Sequence, residues 1–441
     1  MGAVRIVRGG AGRWLVAAAA LLAISLLGGL AWAGRASAND HHASANGHTT
    51  SAAGHRVGRA TGYRQNCPEP FPARRDPSNP LDLPSPPGPN PLTGARFFVP
   101  GPARGPAAGA IAQLLGLDAQ SMPLDESWAS FDRELTTGPY ASRLAADPAL
   151  AHQVLELSKI AAEPDAQRIS IYSEGGGPGA IFGQTEKIFC SNLQADPGSI
   201  PIFNTYFLHA ALGGCATTAQ IRAYWPRFRR YVDEMAAAID RRPAVLLLEI
   251  DALGSSRCMA QHGSLHAWEM DLRYEANRLG ALPHTVVYVE AGYSDGNPVG
   301  YTARALNAIG LRHIRGFFTN DTHLNWTINE VRWATAISRR THGAHFIVDT
   351  ADNGQGPLRP RNRVKNGNED LCNPPGRGLG PMDTTDTGFR YADAFMWTHP
   401  PGNSSGCGGG PPGGVFWPAR AIGLAERANA RLGPGYPSQP Y

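Results

Sequence analysis

The amino-acid sequence predicts a parallel α/β barrel with its helices on the outside. Short β-rich runs alternate with amphipathic segments, the order expected of repeated strand–helix–strand units. One run, AVLLLEIDAL (244–253), begins with five consecutive apolar residues and indicates a strand buried on both faces. Gly/Pro-rich loops follow several runs, as in folds that carry their sites on loops. The predicted strand runs are 168–173, 201–208, 244–250, 285–290, 316–320, 345–350 and 394–398.

Residues 1–33 have the layout of a secretory signal peptide. Three arginines precede an uncharged stretch from 14 to 30, and the small-residue sequence Ala31-Trp32-Ala33 follows it. We therefore expect a secreted, extracellular protein. An uncleaved membrane anchor, which would hold the protein at the cell surface, is the competing interpretation.

Residues 34–89 are predicted to be a disordered linker, rich first in His, Ser and Ala and then in Pro. Scattered histidines in such a tract (His41, His42, His48 and His55) are typical of a solvated spacer. We expect no metal and no cofactor. The ordered barrel is predicted over 90–435, with a short tail at 436–441.

Composition excludes one class of partner and suggests a compartment. Forty basic and 36 acidic residues give a net charge of +4 without a Lys/Arg block, so nucleic-acid binding is not expected. Six cysteines, an even number, fit an oxidising compartment with up to three disulfides. We expect a monomer without a stable membrane partner.

Apolar residues at helical spacing predict helices between the strands. One is expected around 148–162, and others near Trp268 and Ile328. Pro226 is suited to the first turn of another helix, because proline lacks the N–H that a first-turn residue leaves unpaired.

Glu249 and Asp251 end the buried run and carry the first chemical hypothesis. Side chains from several parallel strands meet at the carboxyl ends of those strands, where ligands bind. Asp251 is therefore the first candidate for catalysis. The alternative is that both acids cap the following turn.

Seven stretches, taken in order, resemble glycoside hydrolase family six, the inverting β-1,4-endoglucanases and cellobiohydrolases. The resemblance implies a distorted seven-stranded α/β barrel and a polysaccharide (β-glucan) substrate. It also implies the disulfides Cys215–Cys258 and Cys372–Cys407, which leaves Cys67 and Cys190 to pair. The stretches are NPLTGARFFV (90–99), VLLLEIDAL (245–253), VVYVEAGYSDG (286–296), IRGFFTNDTHLNW (314–326), HFIVDTADNG (345–354), LCNPPGRGLG (371–380) and the segment 392–417.

The resemblance places the family's proton donor on Asp251, within Glu-Ile-Asp. Other family positions are changed. Gly213 and Gly214 stand where the family has Arg-Asp. Ser405 falls on the position of the proposed base, and a serine cannot replace a carboxylate as an ordinary general base. The remaining substitutions are Glu290 for aspartate, Tyr293 for histidine, His399 for lysine, Asn403 for glutamate and Ser405 for the proposed base aspartate.

Asp352 stands where the family has an arginine that pairs with the base. We hypothesise that Asp352, oriented by His399, is a relocated base; the alternative is that it caps a Gly-rich turn. Asn320 and Asp349 are expected to support the site.

Sugar binding is also expected to differ. Two family tryptophans fall on Gly296 and Leu371, so two stacking platforms are lost. Trp326 is one possible replacement, with Trp397, Tyr172 and Tyr206 as others, and Glu174 is a possible polar contact.

The leading interpretation is a secreted glycoside hydrolase (EC 3.2.1.-) that cleaves β-1,4-type linkages by inversion. The short connection from Ser405 to Cys407 implies an open cleft and endo-type attack. The alternative is a catalytically inactive relative that binds glycans at the cell surface.

Overall fold

Seven short parallel strands form one sheet in which spatial order follows chain order. The computed structural model describes residues 88–172, 177–358 and 371–437. The strands curl into a half-barrel with helices around it, so the predicted distorted α/β barrel is confirmed. The strands are β1 (Gln167–Ser170), β2 (Ile202–Tyr206), β3 (Ala244–Leu248), β4 (Thr285–Glu290), β5 (Gly316–Thr319), β6 (His345–Asp349) and β7 (Ala392–Met396).

The two edge strands approach each other without a ladder between them in the described chain. The Ala166 N–H, just before β1, donates to the Trp397 carbonyl, just after β7, at 3.2 Å. The Asn204 side chain on β2 also donates to the Thr398 carbonyl at 2.6 Å. These bonds draw the edges together where the strand ladder stops.

Helices occupy most of the connections between the strands. Those described are α1 (Pro106–Leu114), α2 (Trp128–Thr136), α3 (Ala141–Ala146), α4 (Pro148–Ala161), α5 (Ala180–Ala195), α6 (Leu208–Leu212), α7 (Thr218–Ile239), α8 (Arg257–Gln261), α9 (Leu265–Gly280), α10 (Val299–Ile309), α11 (Thr327–Ser338) and α12 (Pro418–Glu426).

The expectation for Pro226 was wrong. Pro226 lies inside α7, which begins at Thr218. Thr217 and Gln220 form a reciprocal capping box that satisfies N–H groups at the helix start, so this sequence signal outweighs the proline.

Strand β7 lies two residues earlier than predicted. The N–H groups of Trp397 and Thr398 donate to the carboxylates of Asp383 and Asp349. Because side chains take these donors, both residues leave the ladder. Trp397 is fully buried, so it offers no platform to a sugar.

Alternate strand residues build two separate cores. Val245, Leu247 and Tyr288 belong to an inner cluster made of strand residues and their flanks. Leu246 and Leu248 point the other way and pack with α7, α9, α10 and α11. This alternation explains why β3 is apolar at every position.

A buried ion pair anchors the amino ends of β5 to β7. Asp393 accepts hydrogen bonds from Arg315 Nε at 2.7 Å and Nη2 at 2.9 Å, and both side chains are 1% exposed. Tyr288 Oη and His345 Nδ1 reach the same carboxylate, each at 2.8 Å. Burial raises the pKa of Asp393, but Arg315 and His345 outweigh it and the pKa is lowered.

Disulfides Cys215–Cys258 and Cys372–Cys407 close two loops on the opposite rim, at the carboxyl ends of the strands. The predicted signal peptide, nearly all of the linker, Glu174 and Cys67 lie outside the described residues, so the Cys67–Cys190 pairing stays a prediction. Within the described ranges, no helix combines the length and apolar character needed to cross a membrane.

Asp393→Ala should lower the free energy of unfolding by about 3–5 kcal/mol, because it leaves the Arg315 charge buried and unpaired. Urea denaturation measures this difference. The matched control is Glu426→Ala, which removes one partner of the exposed His152–Glu426 pair and should cost less than about 1 kcal/mol. Equal effects of the two substitutions would contradict the structural role of Asp393.

Candidate active site

Asp251 lies on the rim at the carboxyl end of β3, in a strained stretch of backbone. Its φ is 63° and that of Glu249 is 56°. A non-glycine residue pays roughly 1–2 kcal/mol in this left-handed region. Such strained residues cluster at active sites, where the surrounding structure holds them.

The carboxylate of Asp251 is held by side chains only. Thr322 Oγ1 donates to Oδ1 at 3.0 Å, and His209 Nδ1 lies 3.8 Å from Oδ2. No backbone N–H within the described ranges donates to this carboxylate. Its side chain is 24% exposed, so it is available to a ligand.

Two tyrosines extend the rim on the β2 side of Asp251. Tyr206 Oη lies 3.2 Å from His209 Nδ1, and the Tyr172 ring is 6.3 Å from the Tyr206 ring. Burial raises the pKa of Tyr206, and the charge of Asp251 adds to the rise. Tyr172 is 71% exposed, which suits an aromatic face for a sugar ring.

Tyr293 lies on the other side and is packed rather than free. Its ring stacks on His323, and His323 Nδ1 is 3.0 Å from Asp295. A Cβ at Gly296 would lie 2.5 Å from Tyr293 Cε2. The lack of a side chain at Gly296 therefore makes room for Tyr293.

Other carboxylates in this part of the rim, two at strand ends and one on α11, accept hydrogen bonds from backbone N–H groups of neighbouring loops. Burial raises the pKa of Glu249 to about 7. Burial, and then the charge of Asp251, raise the pKa of Glu290 well above its usual range. These acids brace the rim. The bonds are Glu249 to the N–H groups of Phe207 and Leu208, Glu290 to those of Leu253 and Gly254, and Glu330 to that of Ser294.

A second acidic cluster lies at the ends of β5, β6 and β7. Burial raises the pKa of Asp321 to about 7; the charges of Asp349 and Asp251 add to the rise, and His399 opposes it. His399 Nδ1 lies 3.0 Å from Asp349 Oδ2. Burial lowers the pKa of His399, but Asp349, Asp352 and Asp321 outweigh burial and raise it to about 9.

Asp352 has a different principal partner from the one predicted. Arg420 on α12 donates to its Oδ2 at 2.8 Å, whereas His399 pairs with Asp349. Asp352 is 7% exposed, and its Oδ1 has no hydrogen-bond partner in the described chain. The hypothesis that Asp352 is a base stays a prediction, with Arg420 as its orienting group.

The last loop places Ser405 and Asn403 in structural contacts. Ser405 Oγ donates to the Leu371 carbonyl at 3.0 Å, and Ser405 N–H donates to Asn373 at 2.8 Å. Asn403 pairs with Phe416 through an isolated bridge.

Asn320 and Trp326 are also engaged by the protein. Asn320 Nδ2 donates to the Asp349 carbonyl at 3.0 Å, which joins the ends of β5 and β6. Trp326 is half-buried beside Gly356, where an added Cβ would lie 2.2 Å from its ring. That packing favours the structural interpretation of Trp326 over a sugar platform.

Sequence reasoning missed His209, Thr322, Asp321 and Arg420. Asp321 and Thr322 directly follow the predicted strand 316–320, so their position at a strand end could have marked them as candidate site residues. His209 similarly follows 201–208. Arg420 carried no signal, because it is 68 residues from Asp352 in sequence.

A cavity of about 980 Å³ lies away from this rim. His345 and Ala392 line it, and these residues begin β6 and β7. It is therefore at the amino ends of the strands, opposite Asp251, and the chemistry is better assigned to the carboxyl-end rim.

The sequence profile of "Glycosyl hydrolases family 6" matches residues 209–428. Endoglucanase A of Thermobispora bispora is 29% identical over 293 residues, which cover 65% of this chain and 60% of that protein. Endoglucanase 1 of Streptomyces halstedii is 30% identical, with 49% and 64% covered. The chain thus spans about 60% of the length of these relatives.

A solved structure extends the likeness to three dimensions. The endoglucanase Cel6 from Mycobacterium tuberculosis, in complex with methyl-cellobiosyl-4-deoxy-4-thio-β-D-cellobioside, has a TM-score of 0.58 and 27% identity, covering 77% of this chain and 99% of that one. Endoglucanase CEL6B from Humicola insolens, at 19% identity and a TM-score of 0.54, shares the fold.

The pH dependence of stability tests the raised pKa of Asp271, a buried acid on α9. It is 7% exposed, its Oδ2 has no hydrogen-bond partner within the described ranges, and burial raises its pKa to about 7. The folded protein then holds a proton that the unfolded chain has released above pH 3.8. Stability is therefore lost as pH rises towards 7.

Asp271→Asn should remove this loss, so its gain in unfolding free energy over the parent should grow between pH 4 and pH 8 by up to about 4 kcal/mol. Urea denaturation at several pH values measures it. The control Asp125→Asn, at an exposed position, should show no such growth; a flat difference for Asp271→Asn would show that its pKa is unshifted.

Proposed function

Because the chain belongs to the family 6 glycosyl hydrolases, we propose that it is a secreted glucanase that cleaves β-1,4 linkages within polysaccharide chains by inversion. Relatives described as endoglucanases support the substrate class. The complex of the Mycobacterium tuberculosis endoglucanase with a thio-cellobioside supports a cello-oligosaccharide ligand.

One observation carries the proposal. Among the carboxylates at the ends of β3, β4 and β6, Asp251 alone is partly exposed and has no backbone N–H bound to it within the described chain. Glu249, Glu290 and Asp349 are buried and accept backbone N–H groups. A proton donor must reach its substrate, so Asp251 takes the role of acid.

In the proposed reaction, Asp251 donates its proton to the glycosidic oxygen as the C1–O bond breaks. A water molecule forms the new bond to C1 from the opposite face and gives its proton to a base. Thr322 fixes Oδ1 of Asp251. The proton is therefore best carried on Oδ2, which lies 3.8 Å from His209 Nδ1.

Asp352 is proposed as the base. Its Oδ2 is fixed by Arg420 while Oδ1 has no partner among the described residues. Ser405 instead donates its hydroxyl proton to Leu371. Inversion with one water requires about 6.5–9.5 Å between the two carboxyl groups.

An inactive glycan-binding relative is the second candidate. The packing around Gly214 favours this candidate, because a Cβ added there would lie 2.5 Å from the Ser255 Cβ. The rim has no space there for the aspartate that the family uses beside its acid.

Secretion and endo-type attack are further parts of the proposal. The two disulfides fit an oxidising compartment. The Cys372–Cys407 bridge ties down the short last loop, and such a loop suits an open cleft.

Asp251→Asn should reduce the release of reducing ends from carboxymethyl cellulose by about 10²–10⁴-fold, the usual contribution of a general acid. Asp352→Ala should cause a loss of similar size. If attack is of the endo type, the parent should lower the viscosity of the carboxymethyl cellulose solution before it has released many reducing ends. Asp386→Asn, an exposed acid beside the cavity at the amino ends of the strands, is the control and should retain parental activity.

Equal background release by the parent and Asp251→Asn across several β-glucans would favour the binding-only candidate. Full activity of Asp352→Ala would remove it as the base.

A further inference from the structure

The acidic cluster at the ends of β5 to β7 has the arrangement of a ligand set. A carboxylate oxygen of Asp321, one of Asp349 and a ring nitrogen of His399 all lie within 4.8 Å of one another. The three residues come from the ends of three adjacent strands. Asp349 ends β6, while Asp321 and His399 follow β5 and β7 by two and three residues, so all three lie close to the strands.

In each carboxylate, the protein fixes one oxygen. Thr398 Oγ1 donates to Asp321 Oδ1 at 2.7 Å, and the Ala351 and Thr398 N–H groups donate to Asp349 Oδ1 at 3.0 and 3.2 Å. This leaves one oxygen of each acid for a further partner. Partners that orient ligating groups in this way are a regular part of metal sites.

Two buried polar atoms at the cluster lack a hydrogen bond. Asp321 is 4% exposed, and its Oδ2 has no hydrogen-bond partner in the described chain. His399 Nδ1 lies 3.0 Å from Asp349 Oδ2, yet its geometry is not that of a hydrogen bond. Buried polar atoms are almost always satisfied, so this pair indicates a missing partner.

The charges identify the kind of partner. Arg420 compensates Asp352, which leaves the two carboxylates of Asp321 and Asp349 facing one imidazole. Buried charges are paired or coordinate metals, and a divalent cation would balance both while using neutral imidazole as a ligand.

We propose that Asp321, Asp349 and His399 form a binding site for a divalent transition-metal ion of the zinc type. Ligand atoms of one zinc ion lie roughly 3–3.5 Å apart, and a small side-chain rotation would bring these three atoms to that spacing. Calcium and magnesium prefer oxygen ligands alone, so the imidazole favours zinc. Three protein ligands leave a fourth position open.

The test is isothermal titration of Zn²⁺ into the metal-stripped full-length chain. His41, His42, His48 and His55 are first replaced by Gln, because that tract could bind zinc itself. One zinc ion per chain is expected. Asp321→Asn and His399→Gln should each weaken binding at least about 100-fold, whereas Asp386→Asn should leave it unchanged.

Thermal melting provides a second readout. Zinc should raise the melting temperature of the parent and of Asp386→Asn but not of the two site variants. His399→Gln carries the test if Asp321→Asn does not fold. Equal zinc affinities for the parent and all variants, or no zinc binding by the parent, would overturn the proposal. Glucan hydrolysis enters neither readout, so zinc binding and the proposed function can fail separately.

Discussion

Buried carboxylates that accept backbone N–H groups hold the carboxyl-end rim of this barrel. A parallel strand that ends in an acid must satisfy it, because an unpaired buried charge is costly. Here Glu249 binds the loop after β2, Glu290 binds the loop after β3, and Glu330 binds the loop after β4. Glu249 and Glu290 thus each fix the loop that follows the strand before their own, and Glu330, on α11, fixes the loop after β4. These hydrogen bonds position the loops that build the site.

Asp251 departs from this arrangement, and that departure defines the site. Its backbone is strained, and its carboxylate is held by Thr322 and His209 instead of by backbone N–H groups. On the far side of β5, Asp321, Asp349 and His399 form a second centre. Thr322 and Asp321 are neighbours in sequence, so the same turn after β5 contributes to both centres. The rim therefore combines the partly exposed carboxylate of Asp251, the proposed proton donor, with a separate cluster of charged side chains.

The sequence predicted the fold well because burial on both faces of a parallel strand leaves an apolar signal, clearest in β3. It also placed Asp251 at a strand end. Strand β7 was shifted because its end depends on Asp383 and Asp349, which are distant in sequence. The partner of Asp352 was missed for the same reason. The expectation for Pro226 failed because the capping box of Thr217 and Gln220 starts the helix further upstream. The roles of Glu249 and Glu290 depend on loops that only the folded chain brings together.

The stereochemistry of the product tests the central claim most directly. Proton NMR during hydrolysis of a soluble cello-oligosaccharide records the anomer released before mutarotation. Single displacement with Asp251 as acid predicts that the α-anomer appears first. Initial release of the β-anomer would contradict inversion, and no release above that of Asp251→Asn would contradict the enzyme itself.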